Sequence, residues 1–332
     1  MRWIVIAALV AIAALRVQEP AAAAQSPSTS TATGPAPAPF GCLDPSADER
    51  GFGFLLQEGL FTRIEFPGAG LTAISGINSG GQMVGAYIDQ EGTDHAFLLD
   101  RGKFTPIDVP GASDAAATRI NARGQILGQY DDANDVCHGF VVEQGVPRTL
   151  DLPGAAFTQP LGMNDLGQIV GVYGDADGTQ HGFSLSEGVV ADVAVPDALA
   201  TAPFGIDNGG RIVGFFVGAD SAAHGFVLDH GVLTDVIDIE GASLTLPFDI
   251  DDHGHIVGSY VDAGGAGHGF VLLDGAFRTI DPPGALFNTS AFDIDDGGQI
   301  VGATVDDPRA SSHRAAAMRA IKARRTPSAT LP

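Results

Sequence analysis

Between residues 50 and 307 the hydrophobic positions fall in short runs, each closed by Gly, Asn, Asp or Pro, and long stretches with helical spacing are missing. Runs such as "LTAISGIN", "QMVGAYID", "HAFLL" and "FTPIDV" are rich in β-branched and aromatic residues, which marks strands. The separators "NSGGQ", "QEGTD" and "DRGK" are turns. Neither face of these runs is cleanly polar, as expected of small sheets packed on both sides. The same four-run unit recurs. Aligning the glycine of the Val-Gly or Leu-Gly step gives Gly85, Gly128, Gly171, Gly214, Gly258 and Gly302, at intervals of 43 or 44. Phe54, Phe97, Phe140, Phe183, Phe226 and Phe270 keep the same period.

Four short strands per repeat of about 40–50 residues predict an all-β fold, a six-bladed β-propeller of four-stranded blades. A parallel β-helix would need a much shorter coil. The repeat region starts with third and fourth strands ("GFGFLL", "LFTRIEF") and stops after first and second strands ("AFDIDD", "QIVGATVDD"). The ring is therefore expected to close by the N-terminal strands pairing with the C-terminal half-blade, which leaves no unpaired half-sheet. Of the two extra residues in the 44-residue intervals, one falls in "TDVIDIEG", as a bulge, and the other in the loop "PGALFNTSA".

The tripeptide His95-Ala96-Phe97, the "GIN..GQ.VG.Y" strands and "ID.PGA" resemble the bacterial extracellular HAF-repeat family, over residues 52–307. Departures are local: Phe52 replaces the first His, Phe216 and Thr304 replace the Tyr, and Ala194 and Asp197 disturb "D.PG". The resemblance implies an exported repeat protein and adds little about chemistry.

The ends of the chain carry different signals. Arg2, the apolar run Trp3–Leu15 and "AAAAQ" at 21–25 predict a signal peptide over 1–24, cleaved after Ala24. That run is shorter than the roughly 20 residues a spanning helix needs, so no integral membrane protein is expected. A Ser/Thr/Pro-rich linker follows (25–49), then the six-repeat region (50–307), then a flexible basic tail (308–332). The mature chain is thus expected to be secreted, periplasmic or on the cell surface, and monomeric. Residues 50–307 hold nine Lys and Arg against thirty-six Asp and Glu. Such a body repels nucleic acid and anionic lipid, which removes those partners. The two cysteines, Cys42 and Cys137, are expected to stay unpaired.

His95, His138, His181, His224 and His268 recur once per repeat. Five imidazoles ringing a channel would suit a metal, but a residue kept in every copy is more simply a hydrogen-bonding strut. Thr72, Thr158, Thr201, Thr245 and Thr289 follow the Pro-Gly turns and are expected to bond to local backbone. Beside them Leu71, Phe157, Leu199, Leu244 and Phe287 are expected to be buried. Binding residues should lie where copies differ, on the end with the longer loops. There the candidates are acidic: Asp89, Glu91, Asp94, Asp131, Asp132, Asp135, Asp175, Asp177, Asp220 and Asp262. The Asp175-Ala-Asp177-Gly spacing is that of a short calcium loop, which makes calcium the one cofactor the sequence points to.

No nucleophile elbow, zincin helix, Walker loop or dinucleotide fingerprint is present. The sequence therefore points to an exported, non-enzymatic protein that binds or scaffolds through an acidic, loop-rich propeller face, with an extracellular protein or glycan as partner. The alternative is a metal- or carboxylate-dependent lyase or hydrolase acting on an extracellular polymer, and a third reading is a purely structural module. An enzyme should carry unique polar residues in the channel. The copies that stand out as odd are the fourth (Ala194, Asp197, Phe216) and the second (Cys137).

Overall fold

The computed structural model describes residues 50–285 and 288–306. The expected signal peptide, linker and basic tail, together with Cys42 and Phe287, lie outside the described residues. Among the described residues there are strands and turns and no helix, hence no helix long and apolar enough to cross a membrane.

The chain enters through β1 (Arg50–Gln57) and β2 (Leu60–Ile64). The next repeat is β3 (Leu71–Ile77), β4 (Met83–Ile88), β5 (Asp94–Asp100) and β6 (Lys103–Pro106). Then come β7 (Asp114–Ile120) to β10 (Val146–Leu150), β11 (Phe157–Met163) to β14 (Val189–Val193), β15 (Ala200–Ile206) to β18 (Val232–Ile237), and β19 (Leu244–Ile250) to β22 (Ala276–Ile280). The last strands are β23 (Thr289–Ile294) and β24 (Ile300–Asp306).

The strands are arranged as a β-propeller, but the count of separate sheets differs from expectation. Four sheets are separate and four-stranded; the other eight strands form one sheet, ordered β23-β24-β1-β3-β4-β5-β6 with β2 on β1. β1 pairs antiparallel with β24 from Arg50–Asp306 to Leu56–Ile300, so among the described residues the first strand does join the last. The eight strands merge because the start of β1 also meets β3, through one parallel pair, Gly51 with Leu71. The first strands of successive repeats touch in a closed cycle: β3, β7, β11, β15, β19, β23 and back to β3. These strands are almost wholly buried, whereas the fourth strands, such as β6 and β14, are mostly exposed.

Each repeat has its own small core around the invariant phenylalanine. Phe54, Phe97, Phe140, Phe183, Phe226 and Phe270 have no exposed surface. Phe97 lies opposite Gly85 across the β4–β5 pair. A Cβ at Gly85 would run into the Ala73 carbonyl, which is why no side chain fits there. Where other repeats place glycine after the turn proline, Asp197 takes the left-handed conformation itself, with φ 61°. The extra residue in "TDVIDIEG" is a bulge: Val227 pairs with Asp235 and Leu228 with Leu233. A second set of bulges was not apparent in the sequence. Every first strand skips one residue, at Ser75, Thr118, Leu161, Phe204, Phe248 and Phe292. This tolerates Pro160, Pro203 and Pro247 in strands that are central to the ring. Leu161, Phe204, Phe248 and Phe292 join the central apolar cluster, with Phe248 5.5 Å from Phe204 and 5.6 Å from Phe292.

Two local expectations need correction. Cys137 is buried and disulfide-bonded rather than an unpaired thiol; the chain's other cysteine is outside the described residues. Leu71 and Phe157 are buried as expected, but Leu199 is 48% exposed.

Candidate functional site

Antiparallel pairing puts the turns after first strands, with their "NxxGQ" pattern, at one end of the ring, and the longer loops at the other. The cavity lined by all six first strands opens at the first of these ends. Each turn there is built by its leading Asn or Asp. Asn78 Oδ1 accepts the N–H groups of Gly80 and Gln82 at 3.1 and 3.0 Å, and Asp251 and Asp295 cap their own turns in the same way. Asn78, Asn121 and Asn164 also each donate Nδ2–H to the carbonyl of the corresponding residue in the next repeat, at 2.9–3.3 Å. A second ring of bonds runs outside this one: Ala122 N–H to Asp165, Asp165 N–H to Asn208, Asn208 N–H to Asp252, and Asp252 N–H to Asp296. The turns therefore form a laced collar around the mouth of the channel.

The lining is acidic, with eight aspartates and one arginine. In the last three repeats Asp207, Asp251 and Asp295 stand where the first three have Asn, and their second oxygens turn to donors four residues on: Arg211, His255 and Gln299. Burial pushes the Asp295 carboxyl above its ordinary pKa.

At the floor the repeat symmetry is broken. The residue after the bulge is Gly76, Gly162 and Gly205 in three repeats but Arg119, Asp249 and Asp293 in the others. Arg119 is buried. It donates Nη1–H to the Ser75 and Thr118 carbonyls at 3.0 and 2.9 Å, and Nη2–H across the ring to the Phe248 carbonyl at 2.8 Å. Its Nε lies 3.4 Å from Asp293 Oδ1 and 3.9 Å from Asp249 Oδ1. Asp293 Oδ2 accepts the Ile77 N–H at 2.6 Å, and Asp249 Oδ2 the Ile294 N–H at 3.2 Å. Burial, and then the Asp293 carboxylate beside it, raise the pKa of Asp249 well above the usual carboxylate range, and Arg119 offsets this only in part.

The carboxylates singled out in the sequence lie at the other end, and five of them are engaged in their own turns. Asp89, Asp132, Asp175, Asp220 and Asp262 accept backbone N–H groups two or four residues ahead. They also face the recurrent histidines: His95, His181 and His224 lie 2.8, 3.0 and 3.3 Å from Asp89, Asp175 and Asp220. His138 and His268 are 3.8 and 3.5 Å from Asp132 and Asp262. On their far side His138, His224 and His268 bond Asp151, Asp238 and Asp281, each at 2.9 Å. Each of the five rings also lies about 5 Å from the Tyr or Phe of the neighbouring strand. Bonds from Val136, Ala222 and Ala266 N–H lead in lowering the pKa values of Asp132, Asp220 and Asp262. Asp94 and Asp131 are buried rather than displayed to solvent. Asp135 is exposed, at a turn position with φ 58°. Asp175 and Asp177 do stand together: hydrogen bonding with the Asp177 side chain, then with His181, lowers the Asp175 pKa to about 2.

Among the described residues, only Asp251, His253 and His255 bring three candidate metal-ligand atoms together. The five recurrent histidines do not converge, and neither Asp175 nor Asp177 belongs to such a group. The signal for both the floor and this cluster was in the sequence: the column reading Gly, Arg, Gly, Gly, Asp, Asp, and the turn "DDHGH" beside "DDGGQ".

No protein-family model matches the chain, and no curated protein does. Among solved structures it is similar to the putative TolB of Agrobacterium tumefaciens, with a TM-score of 0.57 at 12% identity over 78% of this chain and 99% of that one. This likeness shows the fold alone. Lower likenesses are to the lectin of Aleuria aurantia, described as a six-bladed propeller with a novel mode of fucose recognition (TM-score 0.42, 15% identity, 64% and 79% covered), and to AofleA of Arthrobotrys oligospora (0.44, 13%, 67% and 76%).

Proposed function

We propose that the protein is an exported, non-enzymatic propeller of six blades that binds a donor-rich ligand at the laced, short-turn mouth of its channel. The blade count treats the eight-stranded sheet as two blades sharing one edge contact, in line with the six repeats and the closed cycle of first strands. The signal-like N-terminus, the resemblance to the HAF-repeat family and the disulfide at Cys137 support export, since disulfides persist in oxidising compartments.

The observation that carries the binding site is the acidity of the mouth. Ionised carboxylates only accept hydrogen bonds, so the collar suits hydroxyl or ammonium groups, as on a glycan. The loop-rich end, expected from sequence to bind, spends its carboxylates on turns and histidines. The enzymatic alternative would rest on Asp249 and Asp293, but both already accept backbone N–H groups and face Arg119. That is the arrangement of a clasp.

A test is binding to a glycan array by the full chain and by the triple variant D165N/D252N/D296N. Asn208 already serves the same position in the fourth turn, so the variant keeps the collar's acceptors and loses charge. A glycan bound by the parent and lost by the folded variant supports this mouth. A glycan bound equally by both moves the site elsewhere.

A further inference from the structure

The fifth first-strand turn differs from its five counterparts in two residues that the collar does not require. It reads Asp251-Asp252-His253-Gly254-His255, against Asp295-Asp296-Gly297-Gly298-Gln299 in the sixth. At the position of His253 the other turns carry Gly80, Arg123, Leu166, Gly209 and Gly297, so nothing in the fold calls for an imidazole there. At the position of His255 they carry Gln or Arg.

We propose that Asp251, His253 and His255 form a binding site for a divalent transition-metal ion of the zinc class, on the rim of the mouth. The donor atoms lie within 4.8 Å of one another. Asp251 Oδ2 is 2.7 Å from His255 Nδ1 and 3.7 Å from His253 Nδ1. Ligands around tetrahedral zinc, each at about 2.1 Å from the metal, stand roughly 3.4 Å apart, so small side-chain shifts admit the ion. The carboxylate is held in place. Its Oδ1 accepts the N–H groups of His253 and His255 at 3.0 and 2.8 Å, which leaves Oδ2 aimed at the imidazoles. The Asp251 side chain is 1% exposed while those of His255 and His253 are 28% and 60% exposed. The anion is thus at the back, with the open coordination positions on the solvent side. Two imidazoles and one carboxylate suit zinc, nickel or copper better than calcium, which prefers an all-oxygen shell. In the first three repeats the Asp251 position is Asn, whose Nδ2–H groups would point at a cation. The surrounding Asp207, Asp252, Asp295 and Asp296 add a negative field that draws cations to the rim. This inference is independent of the ligand proposed for the mouth.

The test is zinc titration of the full, chelator-treated chain by calorimetry, with cobalt absorption as a second readout, compared with H253G/H255Q. That double variant rewrites the fifth turn as a copy of the sixth, where Gln299 Nε2–H keeps the bond to Asp295, so it retains the fold. H181Q serves as a control for the recurrent histidines. Expected is one zinc per chain, a raised melting temperature, and tetrahedral or five-coordinate cobalt bands. H253G/H255Q should bind at least about 100-fold more weakly, more than the loss of an outer-shell partner costs, while H181Q binds as the parent does. Unchanged zinc affinity in the folded double variant, or no stoichiometric binding by the parent, overturns the proposal.

Discussion

Replacing Arg119 by Met should unlock the centre of the ring. The guanidinium makes three hydrogen bonds to carbonyls, one of them across the ring to Phe248, and faces Asp249 and Asp293. Removing one partner from a buried ionic group costs about 3–5 kcal/mol, chiefly because the other charge stays buried without compensation. At roughly 2–4 °C per kcal/mol for a large domain, melting should fall by about 6–20 °C. Replacing all three, as R119M/D249N/D293N, leaves no charge within this cluster and keeps acceptors for the Ile77 and Ile294 N–H groups. The triple variant should therefore be more stable than R119M alone, by at least about 2 kcal/mol, a non-additivity that marks direct coupling. Urea unfolding followed by circular dichroism measures both. The pH dependence supplies an independent check. Asp249 has a folded pKa raised above its ordinary 3.8, so its contribution is full below that value and is lost as pH rises through the folded pKa. Without Arg119 this loss deepens, and R119M should approach the parent in stability near pH 4 and fall furthest behind at pH 8. A deficit in R119M below 1 kcal/mol, or a triple variant less stable than the single, would refute the clasp.

Two further predictions concern the scaffold. Thr245 Oγ1 accepts the Ile239 N–H at 3.1 Å, whereas Thr289 Oγ1 is buried without a hydrogen-bond partner among the described residues, because Pro282 at the equivalent place has no N–H to give. Thr245→Val should cost about 1–3 kcal/mol and Thr289→Val should be neutral or gain up to about 1 kcal/mol, read by the same unfolding assay; equal effects would dismiss this account. Burial tends to lower the pKa values of His224 and His268, but their bonds to Asp238 and Asp281, with help from Asp220 and Asp262, raise them overall. Their stabilisation is thus full below about pH 6.5 and lost as pH rises through the folded values, so melting of H224Q/H268Q should vary less than the parent's between pH 6.5 and 8.

The propeller was legible because its determinants repeat. A glycine opposite a buried phenylalanine and a turn-capping Asn or Asp each occupy one column in all six copies, and a threonine after the turn recurs in five, so the copies average away local ambiguity. Sheet count was less legible, since whether β1 and β3 share an edge depends on the single Gly51–Leu71 pair. No periodicity encodes that. The bulges of the first strands were hidden for a related reason. A skipped residue breaks the period of two, so side-chain alternation could not show that Arg119, Asp249 and Asp293, which share one column after the bulge, line the floor.

We propose the end of the ring opposite to the one that loop length favoured, and the copies themselves supply the reason. Loop length pointed to the end carrying Asp89, Asp132, Asp175, Asp220 and Asp262, yet each of those residues performs the same turn-capping task in its own repeat. A carboxylate that recurs with the scaffold is already satisfied by the scaffold. Residues that appear in one or two copies have no such duty imposed by the repeat, and they gather at the opposite end: Arg119, Asp249 and Asp293 on the floor, Arg211, His253 and His255 on the rim. A fold that keeps six near-identical turns in one collar while varying these positions gathers chemical individuality at that mouth. In a repeat ring, departure from symmetry is therefore the stronger guide to a site than loop length or the abundance of acidic residues.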